Sequence, residues 1–169
     1  MHLRLAAPED LPQLREVYGK IVDHMEENGL QIWDDVYPVC ALTEDIADSR
    51  LYILEGAGEI LAAFALCSAH PGSNAISWKH GGQALYLDRL GVNIHHLRRG
   101  LGSLALQKAV ELAGSLGAGS VRLFVVDYNE PAIRLYCKNG FTQAEGLYLE
   151  EIDASLTFRE WGFEKCTGR

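Results

Sequence analysis

The sequence predicts an α/β (α+β) fold: a mixed, mostly antiparallel central sheet of about seven strands, flanked by about four helices and containing one parallel βαβ unit. Three observations lead there. Strand-like apolar segments alternate with segments of helical period along the chain. Gly56-Ala57-Gly58 joins two apolar runs into a hairpin near the start, and two further strand-like runs flank Asp153 at the end. Between them, Leu101 to Leu116 reads as a helix linking two strands, and strands joined by such a helix are parallel neighbours with a right-handed crossover.

The elements follow in order. His2 to Ala6 alternates like a short strand, and Pro8-Glu9-Asp10 is a turn and helix start. Leu11, Leu14, Val17, Tyr18, Ile21, Val22 and Met25 then recur at helical spacing. Asn28 to Leu42 reads as a loop carrying Trp33, Asp34, Asp35, Tyr37 and Pro38, with a short helix from about Thr43. Leu51 to Glu55 and Ile60 to Ser68 are the hairpin strands. His70 to Gln83, with Pro71, Gly72, Asn74, Gly81 and Gly82, is a loop with a brief extended piece around Trp78. A strand from Leu85, the helix over 101–116, a strand over Val121 to Val126 and a helix from about Glu130 to Asn139 come next. Phe141 to Glu150 and Ser155 to Phe163 complete the set.

The strand from Leu85 carries a phase slip. Leu85 and Leu87 lie on one phase, whereas Leu90, Val92 and Ile94 lie on the other, so a regular strand would turn half its apolar set to the wrong face. One extra residue near Asp88-Arg89 repairs the register, which is the footprint of a β-bulge. A strand covered on both faces would need no bulge, and that alternative stays open here.

Composition sets bounds. A chain of 169 residues with 48% apolar and 22% charged residues supports one domain, taken as residues 1–169, with a real core. The longest apolar run, Ile60 to Cys67, is too short to span a bilayer, and Met1-His2-Leu3-Arg4 lacks a signal-peptide core, so a cytoplasmic protein without membrane contact is expected. Cys40, Cys67, Cys137 and Cys166 show no CxxC spacing, and three of them sit in apolar or helical surroundings, so neither a disulfide framework nor a metal site is indicated. The formal charge of -8 argues against nucleic acid as a partner and mildly favours a cationic small molecule.

The turn Arg98-Arg99-Gly100-Leu101-Gly102-Ser103 invites a nucleotide. A helix starting straight after a buried strand presents free N–H groups and the positive end of its dipole to phosphate. Gly100, Gly102 and Ala105 also satisfy G-x-G-x-x-G/A, with Asp127 at the end of the next strand, as a dinucleotide fold requires. Against that, the turn comes late, after a hairpin, and the paired arginines suit a ligand with several phosphates. A plain tight turn with solvent-facing arginines remains a third reading.

YLDRLGV, RRGLGSLAL and VVDYNEPAIRLYCKNGF together resemble the core of the GNAT superfamily of acetyl-CoA-dependent N-acetyltransferases, over Tyr86 to Phe141 and in the family's order. The family's loop follows Q/R-x-x-G-x-G/A, and here Leu97 stands at the first position. The resemblance implies acetyl-CoA as cosubstrate, with Arg98, Arg99, Gly100, Leu101, Gly102 and Ser103 cradling the pyrophosphate. It further implies that Leu90, Gly91 and Val92 meet the pantetheine arm between two parallel strands splayed at the bulge. Asn129 would contact the same arm, although it is also a good N-cap for a helix with Pro131 in its first turn.

By the same resemblance Tyr136 is the acid that protonates the leaving thiolate, the alternative being a core tyrosine packed with Ile133 and Phe141. The implied reaction is direct acyl transfer to a primary amine. Asp88, at the expected bulge, is the candidate base, with a water relay as its rival. Trp33 and Asp34 are candidate acceptor-binding residues because an aromatic beside a carboxylate suits an amine; Trp33 as a loop anchor competes with that. His95 and His96 read as loop histidines on opposite faces of an extended segment. The acceptor is a small-molecule or peptide amine that the sequence does not choose, and a homodimer is compatible. A non-catalytic acyl-CoA-binding or regulatory domain, and a dinucleotide-binding oxidoreductase, are the competing functions.

Overall fold

The structure, a computed structural model, describes residues 1–168. The chain divides into two compact units. The first comprises Met1–Leu66 and Arg89–Ala105, and the second comprises Cys67–Asp88 and the chain from Leu106 onward.

In the first unit, β1 (His2–Leu5), β2 (Leu51–Gly56) and β3 (Glu59–Cys67) lie in that order, followed by the end of β5 (Ala84–Val92). β1 pairs antiparallel with β2, and β2 with β3. The hairpin turn is Ala57-Gly58, both at positive φ, +53° and +79°. Helix α1 (Leu11–Glu27) buries Leu14, Val17, Tyr18, Ile21 and Val22, the stripe that the spacing predicts. Each such side chain contributes about 1.5–3 kcal/mol on burial, which outweighs the roughly 1 kcal/mol that Gly19 costs inside the helix.

Helix α2 (Val39–Ala47) begins four residues before the Thr43 start expected from side-chain type. Pro38 occupies its N-cap position with φ −91°, and a ring that restricts φ to the helical range suits a helix entrance. The short helix therefore gains a turn, and its buried residues are Leu42 and Asp45.

The second unit holds the start of β5, then β6 (Ser120–Val126), β10 (Thr157–Cys166) and β7 (Thr142–Gln143), with β9 (Tyr148–Glu151) also on β10. β5 and β6 run parallel, from Ala84 opposite Ser120 to Tyr86 opposite Arg122. Every pairing of β10 is antiparallel. Helix α3 (Leu101–Ser115) is the crossover between β5 and β6, and α4 (Glu130–Lys138) follows β6. The mixed, mostly antiparallel sheet with one parallel βαβ unit and four helices among the described residues matches the sequence expectation. It is not the doubly wound parallel sheet on which the dinucleotide reading depends.

Expected strand 141–150 is broken into β7, β8 (Glu145–Gly146) and β9. The cause is Gly146, at φ +122°, where a Cβ would lie 2.4 Å from the Ala75 carbonyl oxygen. This close approach lets β8 pair with β4 (Ile76–Ser77), the extended piece expected near Trp78. Cys67 is buried, whereas Cys40, Cys137 and Cys166 are exposed, so one cysteine and not three behaves as a core residue. No described helix is long and apolar enough to cross a membrane.

Candidate functional site

In the first unit, Arg89 adopts φ +53° inside β5, at the position where the phase slip calls for an extra residue. Its carbonyl oxygen accepts a hydrogen bond from the Tyr18 hydroxyl at 2.5 Å. Its guanidinium donates to Asp45 through Nε (2.6 Å) and Nη2 (2.9 Å), and to the Tyr37 hydroxyl through Nη1 (3.3 Å). Asp45 is 0% exposed and also accepts Arg50 Nε at 2.6 Å. Leu90 and Val92, half-buried, and Gly91, buried, follow directly.

After β5 the chain is turned by Asn93, whose amide donates to the Ile60 carbonyl at 2.9 Å and whose side-chain oxygen accepts the His95 N–H at 3.1 Å. Ile94, His95 and His96 form a single 3-10 turn, so Ile94 leaves the strand and the histidines are not on an extended segment. Arg98 and Gly100 take φ +60° and +76°, and the Gly100 carbonyl accepts the Leu104 N–H at 3.0 Å. The amides of Leu101, Gly102 and Ser103 therefore precede the first helical hydrogen bond and lead the positive end of α3. With exposed Arg98 and Arg99 beside them, these groups suit a diphosphate. Leu97 is 39% exposed and supplies only apolar surface.

His96 sits between Glu59 Oε2 (2.9 Å from Nε2) and Arg99 Nη1 (2.9 Å from Nδ1). A guanidinium only donates, so Nδ1 is the acceptor and the Nε2–H faces the carboxylate. Held between these two side chains, the imidazole orients Arg99.

Trp33 is half-buried, with its ring 5.8 Å from Tyr18 and 6.5 Å from Tyr37. Asp34 Oδ1 accepts the Val36 and Tyr37 N–H groups, both at 2.8 Å, and these bonds hold its carboxyl below the usual carboxylate range. Both residues thus shape the loop that carries Tyr37 to Arg89.

In the second unit, Tyr136 lies on α4 with its ring 6.1 Å from Phe141 and 6.4 Å from Phe163. Burial, and secondarily the charge of Asp88, raises its phenol above the ordinary tyrosine range, so it stays protonated. Asn129 accepts the Ala132 N–H at 3.4 Å, with Pro131 in the first turn, so it caps α4 as its residue type suggests. Asp127, the ribose ligand of the dinucleotide reading, instead accepts Arg159 Nε at 3.1 Å.

A further carboxyl escaped the sequence reading. Glu160 is 8% exposed and lies opposite Val126 at the end of β6 and Tyr148 on β9. Burial, a hydrogen bond with Glu150 and the charges of Glu150 and Asp88 push it up to about 9. Tyr18, Asp45 and Glu160 were missed because each reads as part of an ordinary periodic element. For Asp45 a signal existed: it falls three residues after Leu42, on the apolar face of a short helix.

The acetyltransferase (GNAT) family model matches residues 15–141, three quarters of the chain and all of the segment from β5 to α4. The streptothricin acetyltransferase of Streptomyces lavendulae is 34% identical over 95 residues, which cover 56% of this chain and 46% of that protein. The match thus spans under half the length of that relative. A GNAT-family acetyltransferase structure from Streptococcus agalactiae superposes with a TM-score of 0.82 at 18% identity, covering 99% of this chain and 96% of the other. A Salmonella typhimurium acetyltransferase structure containing acetyl-CoA gives 0.67 at 16% identity, covering 99% and 94%. At those identities the two structures speak for the fold, and it is the family model that decides kinship: the chain belongs to the GNAT family of acetyltransferases.

Proposed function

We propose that this protein is an N-acetyltransferase that moves an acetyl or short acyl group from acetyl-CoA to a primary amine by direct transfer, working as one domain across residues 1–169. The observation that carries the reading is the family match, which takes in β5 with its bulge, the Arg98–Ser103 turn and α4 with Tyr136. Acetyl-CoA supplies the activated acetyl thioester. Arg98, Arg99 and the amides from Gly100 to Ser103 bind and neutralise its pyrophosphate, while Leu90, Gly91 and Val92 offer main-chain groups to its arm.

Tyr136 holds the proton that the departing sulfur takes up. Asp88 takes the proton released by the amine, directly or through water. Asn129 contributes to the cofactor arm in addition to capping α4. The acceptor is a small-molecule or peptide amine, in keeping with the streptothricin named in one relative. Trp33 and Asp34 line its approach, one through its ring and the other by fixing the loop.

The test is calorimetry with acetyl-CoA and NAD(P)H side by side, followed by free-thiol release across polyamines, amino acids, aminoglycosides and peptide N-termini. Binding of acetyl-CoA with amine-dependent thiol release is the expected result. Preference for the dinucleotide overturns the reading, and tight acetyl-CoA binding without turnover on any amine moves it to an acyl-CoA-binding domain.

A further inference from the structure

A non-glycine residue in the left-handed region costs about 1 kcal/mol and persists only where its surroundings hold it. Arg89 is such a residue, and it is held from both ends. Tyr18, itself 0% exposed, donates its hydroxyl to the Arg89 carbonyl at 2.5 Å. Burial raises the Tyr18 phenol, so this donor keeps its proton at any physiological pH. At the other end Asp45 takes the guanidinium through two parallel hydrogen bonds of 2.6 and 2.9 Å, a geometry that fixes the plane as well as the position.

The clamp reaches beyond Arg89. Two residues on, a Cβ at Gly91 would stand 2.8 Å from Ile21 Cδ1 and 3.0 Å from Tyr18 Cε1, so the backbone there rests directly on α1. In the other direction, the Tyr37 hydroxyl meets Arg89 Nη1 at 3.3 Å, and the Trp33 ring contacts both Tyr18 and Tyr37. The loop over 28–38 and the bulge are thus tied to the same side chain.

We infer that Tyr18 and Asp45 are positioning residues for acetyl transfer: acting through Arg89, they fix the bulge of β5 so that the main-chain groups of Leu90 to Val92 meet the reacting thioester, and they couple that geometry to the Trp33–Tyr37 loop. The inference rests on the acetyl-transfer reading. Neither residue touches the reacting atoms. Their contribution is orientation, where a displacement of about 1 Å can cost about 100-fold in rate.

The experiment is a double-mutant cycle with Asp45→Asn, Tyr18→Phe and the pair, reading kcat, the KM for acetyl-CoA, folded fraction and hydrogen exchange of the peptide over 87–94. Each single variant is expected to lower kcat by about 10- to 100-fold with the KM within about threefold, and to speed exchange of that peptide. The pair is expected to lose less than the product of the two single losses, because both act through Arg89. If Asp45→Asn does not fold, Tyr18→Phe alone must show the kcat loss and the faster exchange. Unchanged kcat in folded variants, or losses that multiply and track the folded fraction, overturns the inference. If the wild type releases no thiol with any amine, the proposed function fails, and the exchange measurement still decides the clamp: unchanged exchange over 87–94 overturns it.

Discussion

Asp45 grips Arg89 with both carboxylate oxygens, at 2.6 and 2.9 Å, while exposing none of its own surface. The Arg89 side chain is 9% exposed, so losing its partner leaves a charge that water barely reaches. Arg50, the second guanidinium on Asp45, is 29% exposed and also meets Glu44 and Asp48, so it tolerates the loss better. Breaking a buried pair by removing one partner costs about 3–5 kcal/mol. Asp45→Ala should lose stability in that range in urea unfolding, whereas Asp45→Asn, which keeps the shape and one acceptor, should lose about 1–3 kcal/mol. A loss below 1 kcal/mol for Asp45→Ala would show that the pair is dispensable.

Tyr136→Phe separates chemistry from packing. The ring keeps its contacts with Phe141 and Phe163, so the folded protein should be preserved, with Tm within about 2 °C of wild type. What is lost is a protonated phenol. General acid catalysis contributes about 100- to 10,000-fold, so kcat should fall by about 100-fold or more while the KM for acetyl-CoA changes less than threefold. Thiol release in steady state reads both constants, and an unchanged kcat removes Tyr136 from the mechanism.

Much of this was legible in the sequence because it depends on local pattern. The irregularity expected near Asp88-Arg89 coincides with the left-handed Arg89, the Asn129-Pro131 spacing gives the α4 cap, and Gly56-Ala57-Gly58 gives the hairpin. Long-range partners were not legible. Asp45 and Arg89 are 44 positions apart, and Glu160 acquires its neighbours only when β9 folds back on β10. Thr43 looked like a helix start by side-chain type, yet the ring geometry of Pro38 set the entrance. The break at Gly146 depends on the Ala75 carbonyl, which no local window contains.

The hairpin turn offers a stabilising change remote from the chemistry. Ala57 and Gly58 form a two-residue turn with both residues at positive φ, the geometry that favours Asn-Gly. An alanine there is strained by about 1 kcal/mol, and asparagine tolerates the left-handed region better. Ala57→Asn should therefore raise stability by about 0.5–1 kcal/mol and Tm by about 1–4 °C, with kcat unaltered. A lower Tm would mean that the methyl group of Ala57 contributes more than its backbone costs.

Glu160 makes stability depend on pH in a direction opposite to that of an ordinary salt-bridged carboxylate. Its folded-state value of about 9 lies above the ordinary 4.5, so the folded protein binds this proton more tightly than the unfolded chain does. The resulting stabilisation is complete below about pH 4.5 and is lost as pH rises towards 9. Glutamine mimics the protonated acid, keeps a donor for Glu150 and does not ionise. Glu160→Gln and wild type should then be about equally stable at pH 5 and diverge steadily above it, the variant being more stable by about 1–3 kcal/mol at pH 9. Urea unfolding at intervals between pH 5 and 9 measures the divergence. Parallel curves would mean that Glu160 titrates alike in both states and that its burial beside Glu150 carries no proton at neutral pH.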